Sequence, residues 1–412
     1  MNGYSHANIM IGAVDALPVA YRELLEPMRG LLADVANYPD YFDDPTRPVA
    51  DKERIDPEWR RFCVFPESMA GPFLHAWPYS NDEQAKRRPI TTYWMELAIA
   101  AWHEGDRASF IKFMGCLSHM LGDITQSAHL MDLRLLAELL PHPESMPNFH
   151  YHTDIEAVTG VCGALRPPML LGLSVEEAAW RLSADNTTAV RHCRRHIVPI
   201  AQALFAGNYA EAERVAGEPV TWAAQSTLDL LYSTLKLACG DITDDDAQSL
   251  ATIDLRLWKP DTEQHDLVYS SAILDGNRNT PPSGAPIIPG LLRDAQGNVH
   301  HVPGIGMLPH SGMNGPRTSW MRYELPMGVF SRFTTQVGMH AELTQDGATE
   351  FIIELDDREV FRSGRRTAVD PALPVSIDLE NATALTMMVA DANDARTFWH
   401  NHAYWGEPQL LK

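Results

Sequence analysis

A mainly α-helical domain followed by a C-terminal β-sandwich is the fold this sequence predicts, and three observations predict it. Apolar residues recur at helical spacing as far as about residue 240, short β-type runs between turn residues follow, and 412 residues exceed the size at which one hydrophobic core usually keeps growing. The helices are read, in order, from ITTYWMELAIAAWHE, ASFIKFMGCLSHMLGDITQSAHLMDLRLLAELL, VEEAAWRLSADNTTAVRHCRRHIVPIAQALFA and TWAAQSTLDLLYSTLKLACG. Ahead of them, the segment from Tyr38 to Arg88 is rich in Pro and Asp and reads as a long surface excursion, the kind of loop that often lines a site. After Gly240 the runs RFTTQVGM, EFIIEL, VFRSG, PVSIDL and ALTMMVA are spaced by turn residues as sandwich strands are. VYSSAIL reads as one more strand and DGNRNTPPSGAPIIPG as the loop after it. The expected domains are residues 1–258 and 262–412.

Composition narrows the partners. With 54 Asp and Glu against 33 Lys and Arg, the formal net charge is -21, which opposes a polyanion at long range. No stable nucleic-acid partner is expected, and no membrane attraction through a polybasic patch. No run of eighteen apolar residues predicts a transmembrane segment. The first twenty residues hold no Lys or Arg and include Asp15, unlike a signal peptide, so the expectation is a cytoplasmic chain or a secreted one whose leader was removed. Five cysteines (Cys63, Cys116, Cys162, Cys193, Cys239) form no C-x-x-C pair and are expected as reduced, buried thiols. No H-E-x-x-H, P-loop, G-x-S-x-G or dinucleotide fingerprint is present.

The chemistry-bearing residues concentrate in His119-Met-Leu-Gly-Asp123-Ile-Thr-Gln-Ser-Ala-His129 and His152-Thr-Asp-Ile-Glu156. His119 and Asp123 are four apart, so they share a helical face, and His129 is expected about one and a half turns later on nearly the same side. His152 and Glu156 repeat the spacing, and His150 and Asp154 offer a rival pair one step away. Burying carboxylates among Leu, Met and Ile without a cation is costly, and imidazole with carboxylate suits zinc.

These two motifs resemble those of the zinc-dependent phospholipase C and single-strand-specific nuclease superfamily, and Gly122 and Gln126 match as well. Where the family has Pro after that Gln, this chain has Ser127, which is expected to stand clear of the metals. The resemblance implies three zinc ions and further ligands upstream: His6 in Ser5-His6, His75 in Leu74-His75-Ala-Trp, and Asp40 in NYPDYFDD, where Asp43 and Asp44 compete. It also implies an N-terminal amine and carbonyl as ligands, a place taken by Met1 in this sequence. By the same resemblance Asp123 bridges two ions, Asp40, His75 and His119 serve one, His6 and Met1 the other, and His129, His152 and Glu156 hold the third. Asp123 and Asp40 are the expected catalytic carboxylates.

From about residue 262 the chain resembles the novel carbohydrate-binding module, a galactose-binding-like β-sandwich appended to secreted glycosidases and proteases. Gly304-Ile-Gly306, His310, TSWMRYELP, FSRFTTQVGM, EFIIELDDREVFRSG and His402-Ala-Tyr-Trp405 carry the likeness. Glycan binding is its implication, while His310, Trp399 and Trp405 read equally as core packing. Together the two resemblances imply a zinc-dependent phosphoric ester hydrolase, cleaving a phospholipid or small phosphodiester in the manner of phospholipase C. The alternatives are a single-strand nuclease or 3'-nucleotidase, and a biosynthetic enzyme using the same zinc as a Lewis acid on a non-phosphate substrate.

Overall fold

The computed structural model describes residues 3–44, 46–64, 81–258, 260–264, 272–274, 290–309, 318–342, 347–392 and 401–412. It divides into two compact units, Met1–Asp246 and Ala247–Lys412. The first unit is helical: α1 (Gly3–Asp15), α2 (Val19–Leu25), α3 (Arg29–Val35), α4 (Tyr38–Asp43), α5 (Val49–Ile55), α6 (Trp59–Cys63), α7 (Asn81–His103), α8 (Arg107–Thr125), α9 (Leu133–Leu139), α10 (Tyr151–Glu156), α11 (Val175–Arg194), α12 (Ile197–Phe205), α13 (Tyr209–Cys239) and α14 (Asp244–Ser249), the last running across the division. Helices α1, α7, α8, α11 and α13 pack on one another around a core that includes Met10, Trp94, Phe110, Phe113, Leu117 and Leu231.

Where a helix begins, a side chain states the reason. Asp106 caps α8 by accepting from Ser109 N at 3.0 Å. Ser174 caps α11 by accepting from Glu177 N, and Glu177 in turn accepts from Leu173 N, just before the cap. Gly240 ends α13 in the left-handed region, with φ +70, where a side chain would be strained.

The expected surface excursion is corrected over its described part, which folds as α4, α5, α6 and the opening turns of α7, with residues 65–80 outside the described residues. Each of the first three is too short to give a periodic window, yet Tyr38, Phe42, Trp59 and Phe62 bury their rings. Lys52 donates to Phe42 O at 2.6 Å, and Lys112 of α8 meets the buried Asp56 at 2.6 Å, which ties this region to the core helices. The segment 175–206 is two helices rather than one, the first ending at Arg194 and the second opening at Ile197 with Pro199 in its first turn. All five cysteines are free thiols; Cys63, Cys116 and Cys193 are buried, and Cys162 and Cys239 only partly so.

The second unit is a two-sheet β structure of β1 (Thr252–Asp254), β2 (Thr262–Gln264), β3 (Ala272–Leu274), β4 (Leu291–Arg293), β5 (Val299–His301), β6 (Gly304–Met307), β7 (Thr318–Glu324), β8 (Arg332–Met339), β9 (Ala348–Leu355), β10 (Arg358–Arg362), β11 (Arg366–Thr367), β12 (Leu373–Asp378), β13 (Ala384–Asp391) and β14 (Ala403–Leu411). One sheet runs β12-β8-β14-β6-β3 with β1 also on β14, the other β10-β9-β13-β7-β2 with β11 on β9, and β4 pairs with β5. All these pairings are antiparallel. Thr252–Asp254 pairs with Leu411–Gln409, so the strand lies with the sandwich, and the division falls earlier in the chain than residues 258–262. The expected loop 275–290 lies outside the described residues except for Gly290. Among the described residues no helix is long and apolar enough to cross a membrane.

Candidate metal centre

Five elements of the helical unit converge on one polar region: α1 brings His6, α4 Asp40, α8 His119 and Asp123, a 3-10 turn His129, and α10 His152 and Glu156. Helix α8 is buried over its entire second half, so His119 and Asp123, at 0% and 1% exposure, sit four apart on a face that water does not reach. Helix α8 stops at Thr125, because Gln126 turns extended, with φ −63 and ψ 115. His129 therefore arrives on the 3-10 turn Ser127–His129 and not on the same helix as expected. Ser127 donates to Cys193 O at 3.2 Å, which anchors that turn.

The ligand atoms of His6, Asp40 and His119 lie within 4.8 Å of one another, and so do those of His129, His152 and Glu156. Asp123 stands between the groups. Its Oδ1 is 3.6 Å from His6 Nε2 and 3.7 Å from His129 Nδ1, and its Oδ2 is 3.5 Å from His119 Nε2. His129 Nε2 reaches His152 Nε2 at 3.2 Å and Glu156 Oε1 at 3.7 Å. Met1 and His75 lie outside the described residues.

These residues fit a metal, and two details show it. His119 Nδ1 meets the Ala36 carbonyl at 2.8 Å, so it carries the proton, and Nε2 faces Asp40 and Asp123 at 3.5 Å each. With Nδ1 committed, Nε2 can meet two carboxylates either as a proton donor or, as a lone pair, through a cation placed between them. His6 buries both ring nitrogens without a hydrogen-bond partner among the described residues, an expensive arrangement unless an ion takes one lone pair.

The electrostatics of His6 and His129 suit ligation. Burial, with His119 beside it, holds His6 well below its ordinary range, and burial pushes His129 down to about 4 against the pull of Asp123. Both are therefore neutral near pH 7, the ligating form. Burial also presses on His119, but the charges of Asp123 and Asp40 outweigh it and raise its pKa. Glu156 lies below the usual carboxylate range although burial pushes it up, with His129 and His152 among the groups that lower it.

The rival residues have other work. His150 caps α10, facing Thr153 N at 3.3 Å, and Asp154 Oδ2 accepts from His150 N at 2.7 Å, a capping arrangement outside the cluster. Asp44 accepts from Thr46 N and Oγ1 at 2.8 and 2.6 Å. Two supports have no signal in the sequence reading beyond a motif match. The Ala36 carbonyl is a backbone group, and Gly122 is required because a Cβ there would stand 2.6 Å from His6 Nδ1.

No curated protein matches the sequence. Residues 297–411 match the NPCBM/NEW2 domain. Among solved structures, CBM51 from Clostridium perfringens GH95, in complex with methyl-galactose, is similar at 21% identity and a TM-score of 0.31, over 39% of this chain and 99% of that one. The M60 catalytic domain with the CBM51-1 and CBM51-2 domains of Clostridium perfringens ZmpB is similar at 20% identity and a TM-score of 0.32, over 39% of this chain and 15% of that one. The alpha-toxin of Clostridium perfringens avian strain SWCP is similar at 11% identity and a TM-score of 0.33, over 99% of this chain and 98% of that one. Within the matched residues, Trp405 is fully buried and meets Phe351 edge-on at 5.2 Å, so it is a core residue. His310 and Trp399 lie outside the described residues.

Proposed function

We propose that the helical unit is a zinc-dependent phosphoester hydrolase acting on a phospholipid or other small phosphodiester, and that the NPCBM/NEW2 domain carries it to glycan-bearing material. The observation that carries this reading is the setting of His119, whose Nε2 faces two carboxylates at 3.5 Å while Nδ1 is committed to Ala36 O. Asp40, His6, His119 and Asp123 would hold ions on one side, and His129, His152 and Glu156 on the other, with Asp123 shared. Zinc bound there would supply Lewis acidity, lowering the pKa of water and offsetting charge on phosphoryl oxygens.

The chain's own residues prepare that chemistry. Ala36 fixes the His119 tautomer, so the ring cannot turn its lone pair away. Burial keeps His6 and His129 neutral, and the stacked rings of His6 and His119, 3.9 Å apart, hold each other in place. Asp40 at 41%, His152 at 28% and Glu156 at 26% are the more exposed members, so the phosphoryl group meets the site from their side. The net charge of -21 supports a small or neutral-surfaced substrate over a long polyanion.

The test joins elemental analysis with kinetics on a soluble phosphodiester, a phosphatidylcholine vesicle and single-stranded DNA. Two or three zinc ions per chain held by this cluster, activity lost to chelation, and a larger loss for Asp123→Asn than for Asp40→Asn are expected, because only Asp123 faces both ligand groups. Less than one equivalent of transition metal, or DNA turned over faster than the other substrates, contradicts the reading.

A further inference from the structure

A second constellation, sharing no residue with the first, lies at the junction of α11 and α12. His192 and His196 are four apart, and Arg195 (φ −64, ψ −16) and His196 (φ −84, ψ −14) keep helical backbone through the break, so both rings leave one face. That face meets α13, where Glu218 stands one turn before Trp222. His192 Nε2 is 2.5 Å from Glu218 Oε1, His196 Nε2 is 3.3 Å from Glu218 Oε2, and the three ligand atoms lie within 4.8 Å of one another. Trp222 supports the His192 ring at 4.8 Å between centroids.

The fourth neighbour makes the arrangement informative. Arg195 Nη2 is 2.8 Å from the same His192 Nε2 and 3.0 Å from Glu218 Oε1. If Nε2 carries a proton it donates to the carboxylate and collides with the guanidinium. If it is a lone pair it accepts from the guanidinium and is repelled by the carboxylate. Neither state satisfies both neighbours. A divalent ion does, taking the lone pairs of both imidazoles and one carboxylate oxygen while Arg195, 60% exposed, swings into water. Two imidazoles and a carboxylate are the donor set of open three-ligand zinc sites, which keep a coordination position for water or a ligand.

We propose that His192, His196 and Glu218 form a separate binding site for one zinc-like transition-metal ion. Arg195 is its competitor in the metal-free protein. His192-x-x-x-His196 was visible in the sequence, but Glu218 is brought in only by the packing of α13.

The full-length protein, stripped with chelator and retitrated with zinc, tests this. Wild type should take up one equivalent more than the His192→Asn, Glu218→Gln double variant, and Asp123→Asn should keep that equivalent although it disturbs the other cluster. Arg195→Ala retains all three ligands and removes the competing cation, so the affinity of this one ion should rise several-fold. Equal stoichiometry in wild type and a folded double variant overturns the proposal. Should the double variant misfold, an unchanged zinc affinity in Arg195→Ala overturns it alone.

Discussion

Gly122 shows how little room the candidate centre leaves around a single ligand. In the interior of a helix, alanine is favoured over glycine by about 0.5–1 kcal/mol. Here the added Cβ would approach His6 Nδ1 to 2.6 Å and Cε1 to 2.7 Å, well inside contact distance, so the ring would have to move. Gly122→Ala is therefore expected to fold with nearly unchanged helicity yet lose at least one metal equivalent. Metal analysis beside circular dichroism checks it, and a full metal complement in the variant would show that His6 is not a ligand. The residue spacing made His119, Asp123, His152 and Glu156 legible before any coordinates, because four-residue intervals on a helix have one geometric meaning. Asp40 could not be separated from Asp43 and Asp44 that way. Only the fold of α4 against α8 brings Asp40 within 3.5 Å of His119, while Asp44 is engaged by Thr46. The Ala36 carbonyl was illegible in principle, since a backbone group leaves no trace in residue identity.

At the scale of elements, the segment between α10 and α11 has no secondary structure of its own and borrows order from α13. Gly163 N donates to Thr221 Oγ1 at 2.7 Å, Arg166 N to Gln225 Oε1 at 2.9 Å, Met169 N to Asp229 Oδ1 at 2.8 Å and Leu171 N to Ser233 Oγ at 2.8 Å. The acceptors recur every four residues, so they form one polar stripe along the helix. Asp229, 2% exposed, anchors the stripe through a bidentate contact with Arg166 as well. Burial raises its pKa more than Arg166 lowers it, so the carboxylate stays in place only through this full set of donors. Asp229→Ala should cost about 2–3 kcal/mol, because it strands the Met169 amide and a half-exposed guanidinium. Urea denaturation measures the loss, and faster hydrogen exchange at Met169 and Leu171 would localise it. The polar stripe was in the sequence all along, hidden because Thr, Gln, Asp and Ser at four-residue spacing look like the solvent face of a helix. Short helices α4 to α6 escaped for a related reason: five to seven residues hold too few apolar positions to show a period.

At the scale of the whole molecule, the β unit is organised around β14. It pairs with β8 along one edge, and with β6 and then β1 along the other, its register shifting between Gly406 and Gln409. Its removal would leave β1 without its pairing and open one edge each of β8 and β6, which would keep only β12 and β3, and it would take away the fully buried Trp405 and Leu410. A chain ending at residue 402 should therefore be cleaved rapidly by protease within residues 290–392 while the helical unit resists. Equal resistance of both regions would show that the remaining strands suffice.

The central position of a late strand also sets a clock. A ribosome adds about 5–20 residues per second, so on the order of ten seconds pass between the completion of β8 and the arrival of β14. Throughout that interval β8 exists with an open edge and apolar side chains on it, the condition under which nascent chains pair with the wrong neighbour. Long-range strand closure of this kind is slow even once the chain is complete. Yield on expression should thus depend on how fast residues 340–411 are translated and on which chaperones meet them, and synonymous codons that hasten that stretch would raise the soluble fraction without changing a single contact.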